Sequence, residues 1–190
     1  MLDLYLLVIG QDQEECDLFQ SEVDCELHNI QNPEDRSIAA IANEHLDKCE
    51  RSVFGLVHPD VVLNPGALQS FVDTALSGAV CGIVGRDMEN RYRWCYKTPD
   101  PVSTLDDCSV FFRKDSGLRF DSETCDTFYA YVTDLCLQAH FRGIPVLVPP
   151  ADANHVGRRF FTEKLTHKAA WLECLARVRE KWAGVEFTTT

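Results

Sequence analysis

The chain has 190 residues, 45% of them hydrophobic, with 30 acidic side chains against 18 basic ones and a formal charge of −12. That length fits one globular domain, and the hydrophobic content excludes general disorder. The acidic excess argues against nucleic-acid backbones and anionic membranes as partners, since both are polyanions that recruit Lys and Arg. A phosphate-bearing small molecule stays compatible with it, because a divalent cation can bridge carboxylates to phosphate.

In chain order, Leu4 to Ile9 reads as a buried strand that ends at Gly10. A polar helix is predicted over Asp12 to Gln20 and a short strand over Glu26 to Ile30. From Ser37 to Cys49, the residues Ile38, Ile41, Ala42, Leu46 and Cys49 recur at helical spacing and form one apolar face that packs on a sheet. Val53 to Val57 is the third strand; it stops at His58-Pro59-Asp60 because Pro59 has no N–H for a ladder. Asn64-Pro65 supplies a helix cap and a first-turn proline, with Gly78 at the far end, and Val80 to Val84 is a fourth strand. Arg91 to Pro101 is aromatic-rich without a clear period and reads as a long surface loop. Then come a strand over Cys108 to Arg113, a helix over Phe128 to Phe141 closed by Gly143, and a last strand over Pro145 to Val148. Residues 160–183 form a C-terminal docked helix, with Leu165, Ala169, Leu172, Leu175, Ala176 and Val178 on an apolar stripe. Strands alternating with helices indicate an α/β fold with a mostly parallel central sheet flanked by helices, in one domain over 1–190.

The cysteines, at 16, 25, 49, 81, 95, 108, 125, 136 and 174, are odd in number and contain no CxxC pair, so they read as free thiols in a reducing compartment rather than as a disulfide or zinc framework. The N-terminus lacks a basic region and a small-residue cleavage site, and no apolar run approaches about 18 residues, which leads to the expectation of a cytoplasmic protein without a membrane span. GxGxxG, GxxxxGK[ST], GxSxG and HExxH are all absent, which excludes the glycine-lined pyrophosphate turns and several common hydrolases.

The most informative segment is Val53 to Pro65. A hydrophobic strand that delivers Asp60 at its C-terminal end places a carboxylate at the crevice where open α/β sheets bind ligands. In extended chain His58 and Asp60 project to one side, which suits joint contact with a metal or phosphate; a turn cap and an edge residue are the alternative reading.

Four stretches in order extend this segment: Ile38 to Asn43, His58 to Val61, Thr104-Leu105-Asp106, and Phe120-Asp121 followed by Phe128 to Ala139, with Gly143 and His155 beyond. Together, over about residues 4 to 157, they resemble a GT-A-fold glycosyltransferase of the family 2-like group, with His-x-Asp in place of Asp-x-Asp. The resemblance implies transfer of a sugar from a UDP- or GDP-linked donor to an unknown acceptor, with Mn²⁺ or Mg²⁺ bridging the diphosphate. By position it makes Asp60 and His155 the metal ligands, and Gly10, Asn43, His58, Asp60, Asp107, Trp94 and Arg158 the donor-binding residues.

The departures from the family matter as much. The helix position that holds the family's general base is Val132, which accepts no proton, and the frequent Arg of that helix is Gln138. An inverting mechanism then needs another base, with Asp134 and Asp106 as the catalytic candidates and Asp126 as a further one; otherwise the protein is a catalytically impaired binder or scaffold. Asp106 and Asp107 also read as turn residues, and Tyr92, Trp94 and Tyr96 either form a stacking platform or bury under the loop. The length is short for a GT-A enzyme and leaves little chain for an acceptor domain.

Overall fold

The computed structural model describes residues 1–10, 24–32, 36–64, 66–95, 99–156 and 164–189, the side chains of 164–167 excepted. The helix expected over Asp12 to Gln20, together with Cys16, Pro65, Tyr96, Arg158, Arg159 and the side chain of Leu165, lies outside the described residues.

The elements are β1 (Leu4–Gly10), β2 (Glu26–Gln31), α1 (Ile38–Lys48), β3 (Val53–Val57), β4 (Val61–Leu63), α2 (Ala67–Leu76), β5 (Val80–Cys81), β6 (Val84–Arg86), β7 (Tyr92–Trp94), β8 (Asp100–Pro101), β9 (Thr104–Leu105), β10 (Ser109–Arg113), α3 (Tyr131–Phe141), β11 (Val146–Val148), β12 (Ala153–His155) and α4 (Lys164–Lys181). The central sheet has seven strands in the order β2-β1-β3-β10-β5-β11-β8. Strands β2, β1, β3, β5 and β11 run one way, and β10 and β8 run against them. The sheet is therefore mostly parallel, as the alternation of elements predicts, and helices pack against it: α1 on β1, α2 on β3, β5 and β10, α3 on β11.

β1 and β3 are buried at every position, which is why they read as continuous apolar runs; the edge strand β2 alternates in exposure. Gly55 in β3 admits the ring of Phe111 from β10, since a Cβ there would lie 2.6 Å from that ring. Phe111 in turn stacks on Phe71 of α2, with ring centroids 4.7 Å apart. Ser37 caps α1: its Oγ accepts the Ala40 N–H and donates to the Cys125 carbonyl.

Four expectations change. The run Val80 to Val84 breaks at Gly82, where the chain passes so close to β10 that a Cβ would sit 2.5 Å from the Ser109 carbonyl oxygen; β5 stays in the main sheet and β6 starts a second one. That second sheet, in the order β7-β6-β9, takes Tyr92 to Trp94 out of the expected loop, and Asp100–Pro101 forms the edge strand β8. The helix expected from Phe128 starts at Tyr131, because Ala130 is left-handed at φ 59°. On α4 the buried residues are Cys174, Leu175 and Val178, whereas Ala169, Leu172 and Ala176 are exposed, so the docking stripe is narrower than the predicted one.

The eight described cysteines are all free thiols, and seven of them are buried, where they pack as small hydrophobes. Among the described residues, no helix is long and apolar enough to cross a membrane.

Candidate functional site

The C-terminal end of β3 carries the site. His58 keeps one ladder bond, its N–H donating to the Cys108 carbonyl at 2.9 Å, and the chain then turns through Pro59 and Asp60 into β4, closed by the Val61 N–H on the His58 carbonyl at 3.1 Å. β4 pairs antiparallel with β12, His155 opposite Val61, and the Val156 N–H donates to the Asp60 carbonyl at 3.0 Å. This small two-stranded sheet folds the far end of the chain back over the turn.

As a result His155 Nε2 lies 3.3 Å from Asp60 Oδ1, and the rings of His58 and His155 are 6.2 Å apart. The ligand atoms of His58, Asp60 and His155 all fall within 4.8 Å of one another. A second triad, Asp106, Cys108 and His155, meets the same limit and shares the His155 imidazole. Two imidazoles and a carboxylate at one point form a donor set that suits a divalent transition ion.

Hydrogen bonding decides the state of His58. The Tyr131 hydroxyl lies 2.7 Å from the Asp107 carbonyl oxygen, which can only accept, so the phenol proton goes there. The 2.9 Å contact between His58 Nε2 and the same hydroxyl is then an Nε2–H donating to the phenol oxygen, and Nδ1 holds the free lone pair. Burial, reinforced by the neighbouring His155, lowers the His58 pKa to about 4, so the ring is neutral at pH 7. For His155, burial pulls the pKa down, but the hydrogen bond and charge of Asp60 outweigh it and the net direction is up. Asp60 is lowered: burial works against ionisation, and the His155 hydrogen bond and charge overcome it.

The other residues singled out from the sequence are distributed as follows. Asp106 is half-buried beside His155. Asp107 caps α3, its two carboxylate oxygens accepting the Ala130 and Val132 N–H groups at 2.7 and 3.0 Å. Burial and the charge of Asp106 push its pKa up to about 7, against the pull of those N–H groups. Gly10 ends β1 at the same sheet edge as His58, since Val8 pairs with Val57, and its carbonyl accepts the Asn32 N–H. Trp94 is exposed on β7, and the adjoining Cys95 is tied to Ala151 and Ala153 at the start of β12. Arg158 lies outside the described residues.

Two expected site residues are occupied elsewhere. Asn43 holds the backbone of Phe120 from both sides, Nδ2 donating to its carbonyl at 2.7 Å and Oδ1 accepting its N–H at 3.1 Å, which ties the amide to the segment before α3. Asp134 is fully buried, and its carboxylate accepts from Lys181 Nζ, Trp182 Nε1 and Gln138 Nε2 at 2.7, 2.7 and 2.8 Å. It anchors the end of α4 and is sealed from water, which corrects its assignment as a base. Tyr131 and Cys108 were missed: nothing local marks a Tyr inside an apolar helix, or a Cys entering a strand, as a neighbour of His58 or His155.

No protein-family model matches the sequence, and no curated protein does. Solved structures match by fold. Protein A197 from STIV aligns with a TM-score of 0.55 at 12% identity, over 82% of this chain and 85% of that one. GalNAc-T7, solved with UDP, GalNAc and Mn²⁺, aligns with a TM-score of 0.62 at 11% identity, over 92% of this chain and 41% of that one. The chain thus spans less than half the length of GalNAc-T7. At such identities the likeness is one of fold: these structures share the single-domain α/β architecture, a mostly parallel central sheet flanked by helices.

Proposed function

We propose that the protein binds a nucleotide-sugar donor, UDP- or GDP-linked, together with a divalent cation, and transfers the sugar to an acceptor hydroxyl. The observation that carries this reading is the convergence of His58, Asp60 and His155 at the end of β3, the edge at which open α/β sheets take their ligands. The donor set fits Mn²⁺ better than Mg²⁺, which prefers oxygen ligands alone. Asp60, His155 and His58 through Nδ1 would hold the ion; when bound it supplies positive charge to the leaving diphosphate. Tyr131 keeps the His58 ring in the required tautomer. In this reading Gly10, at the same edge, and the exposed Trp94 belong to the donor's side of the site. Asp106, half-buried beside the cluster, would take the acceptor proton, a reading supported by its nearness to His155.

A second reading has its own observation. Val132 occupies the first turn of α3 fully buried, its N–H on Asp107, so that helix offers the site no carboxylate, and the protein would bind its donor without transfer.

Thermal unfolding with UDP- and GDP-sugars plus Mn²⁺ tests both. A donor at a hundred times its Kd adds about 2.7 kcal/mol, which is roughly 5–10 °C for a domain of this size. Asp60→Ala should remove that shift. Release of free nucleotide separates transfer from binding alone. No shift with any donor refutes both readings.

A further inference from the structure

Asp106, Cys108 and His155 bring one carboxylate, one thiol and one imidazole within 4.8 Å of one another. They come from the turn before β10 and from β12, and their arrangement is built rather than incidental. Asp106 Oδ1 accepts the Cys108 N–H at 2.9 Å, which fixes the carboxylate over its own turn. The Cys108 carbonyl accepts the His58 N–H, which ties this turn to the end of β3. Cys108 is fully buried, and Asp106 and His155 are partly exposed, so one side of the triad opens to solvent. Sulfur, nitrogen and oxygen donors in a group of three, with a fourth position open to water, form the set that a tetrahedral zinc-class ion selects and a hard cation refuses.

We propose that Asp106, Cys108 and His155 form a second metal position that takes a zinc-class ion, and that filling it withdraws His155 from Asp60. The His58, Asp60 and His155 set contains no sulfur, so the thiol position is the softer of the two, and the two share one imidazole. On binding, the Cys108 thiol proton leaves to solvent, a metal–sulfur bond forms and no oxidation state changes. An ion held there also occupies Asp106. Zinc-class ions therefore oppose donor binding; this last consequence, unlike the metal position itself, rests on the function proposed above.

Co²⁺ is the probe, because a thiolate ligand adds a charge-transfer band in the near ultraviolet. Titrating the full chain with Co²⁺ should produce that band with one equivalent bound, and Zn²⁺ should abolish it. Cys108→Ser should lose the band, His58→Ala should keep it, and Asp106→Asn should weaken Co²⁺ binding by about 10–100-fold or more. Absence of the band, its survival in Cys108→Ser, or its loss in His58→Ala overturns the proposal. If circular dichroism shows Cys108→Ser misfolded, Asp106→Asn decides, and an unchanged Co²⁺ affinity there overturns it. In a donor thermal-shift assay with Mn²⁺, one equivalent of Zn²⁺ should erase the shift; a shift that persists with the thiol position filled refutes the competition. No donor shift under any metal removes the proposed function and leaves the cobalt result standing.

Discussion

Asp134→Asn is expected to destabilise the protein by about 2 kcal/mol while leaving the His58, Asp60 and His155 cluster intact. The carboxylate is fully buried and accepts three hydrogen bonds, from Lys181, Trp182 and Gln138. Asn keeps Oδ1 as the acceptor that Trp182 and Lys181 share, but turns an NH2 towards the Gln138 amide in place of Oδ2 and removes the charge that Lys181 faces. Breaking a wholly buried ion pair costs about 3–5 kcal/mol. Lys181, however, is about a third exposed and also reaches Asp121 at 2.7 Å, so it retains water and a second carboxylate. The loss is then nearer that of one charge-assisted hydrogen bond, about 1.5–3 kcal/mol. For a domain of this size a loss of about 2 kcal/mol lowers the thermal midpoint by roughly 4–8 °C. Urea unfolding followed by circular dichroism measures it, and a double-mutant cycle with Lys181→Met should yield a coupling of about 1–2 kcal/mol. An Asp134→Asn protein within about 0.5 kcal/mol of wild type refutes the anchoring role, and if it had also lost transfer, Asp134 would return as the base.

Tyr131→Phe removes the hydroxyl that donates to Asp107 and accepts from His58. Calorimetry should find Mn²⁺ affinity reduced about 10–100-fold, and an unchanged affinity would show that His58 needs no partner. Gly55→Ala sets a Cβ 2.6 Å from the Phe111 ring, which is itself stacked on Phe71, and should cost about 1–3 kcal/mol in urea unfolding. Asp121 has a lowered pKa: burial opposes ionisation, but Lys181 and Thr124 outweigh it. A depressed carboxylate contributes stability that is fully present above its ordinary value of 3.8 and is lost as pH falls through the folded one. Asp121→Asn should therefore be less stable than wild type at pH 7, and the gap should close as pH falls below that value; a gap independent of pH would contradict the pairing with Lys181.

Much of the fold was legible because burial leaves a local imprint. β1 and β3 are apolar along their whole length because neighbours cover both faces, and α1 repeats its apolar residues at helical period because one face meets the sheet. β7 was not legible: Tyr92 and Trp94 stay largely exposed and are strand only because β6 lies alongside. The narrow stripe of α4 was hidden too, since its period admitted several faces and the contacts with Thr124 and Tyr129 selected the one that buries Cys174.

By itself the amino-acid sequence determined which segments can be strands or helices, and that a strand end would present His58 and Asp60, because apolar pattern, proline and periodicity act over a few residues. Which of its carboxylates converge with histidines at the strand end and which are tied into the fold was decided by the tertiary structure. β4 pairing with β12 carries His155 onto Asp60, and the arrival of Lys181 and Trp182 seals Asp134 away from water. A carboxylate's role depends on what stands opposite it, and that partner comes from a remote part of the chain whose position only the sheet order and the docking of α4 define.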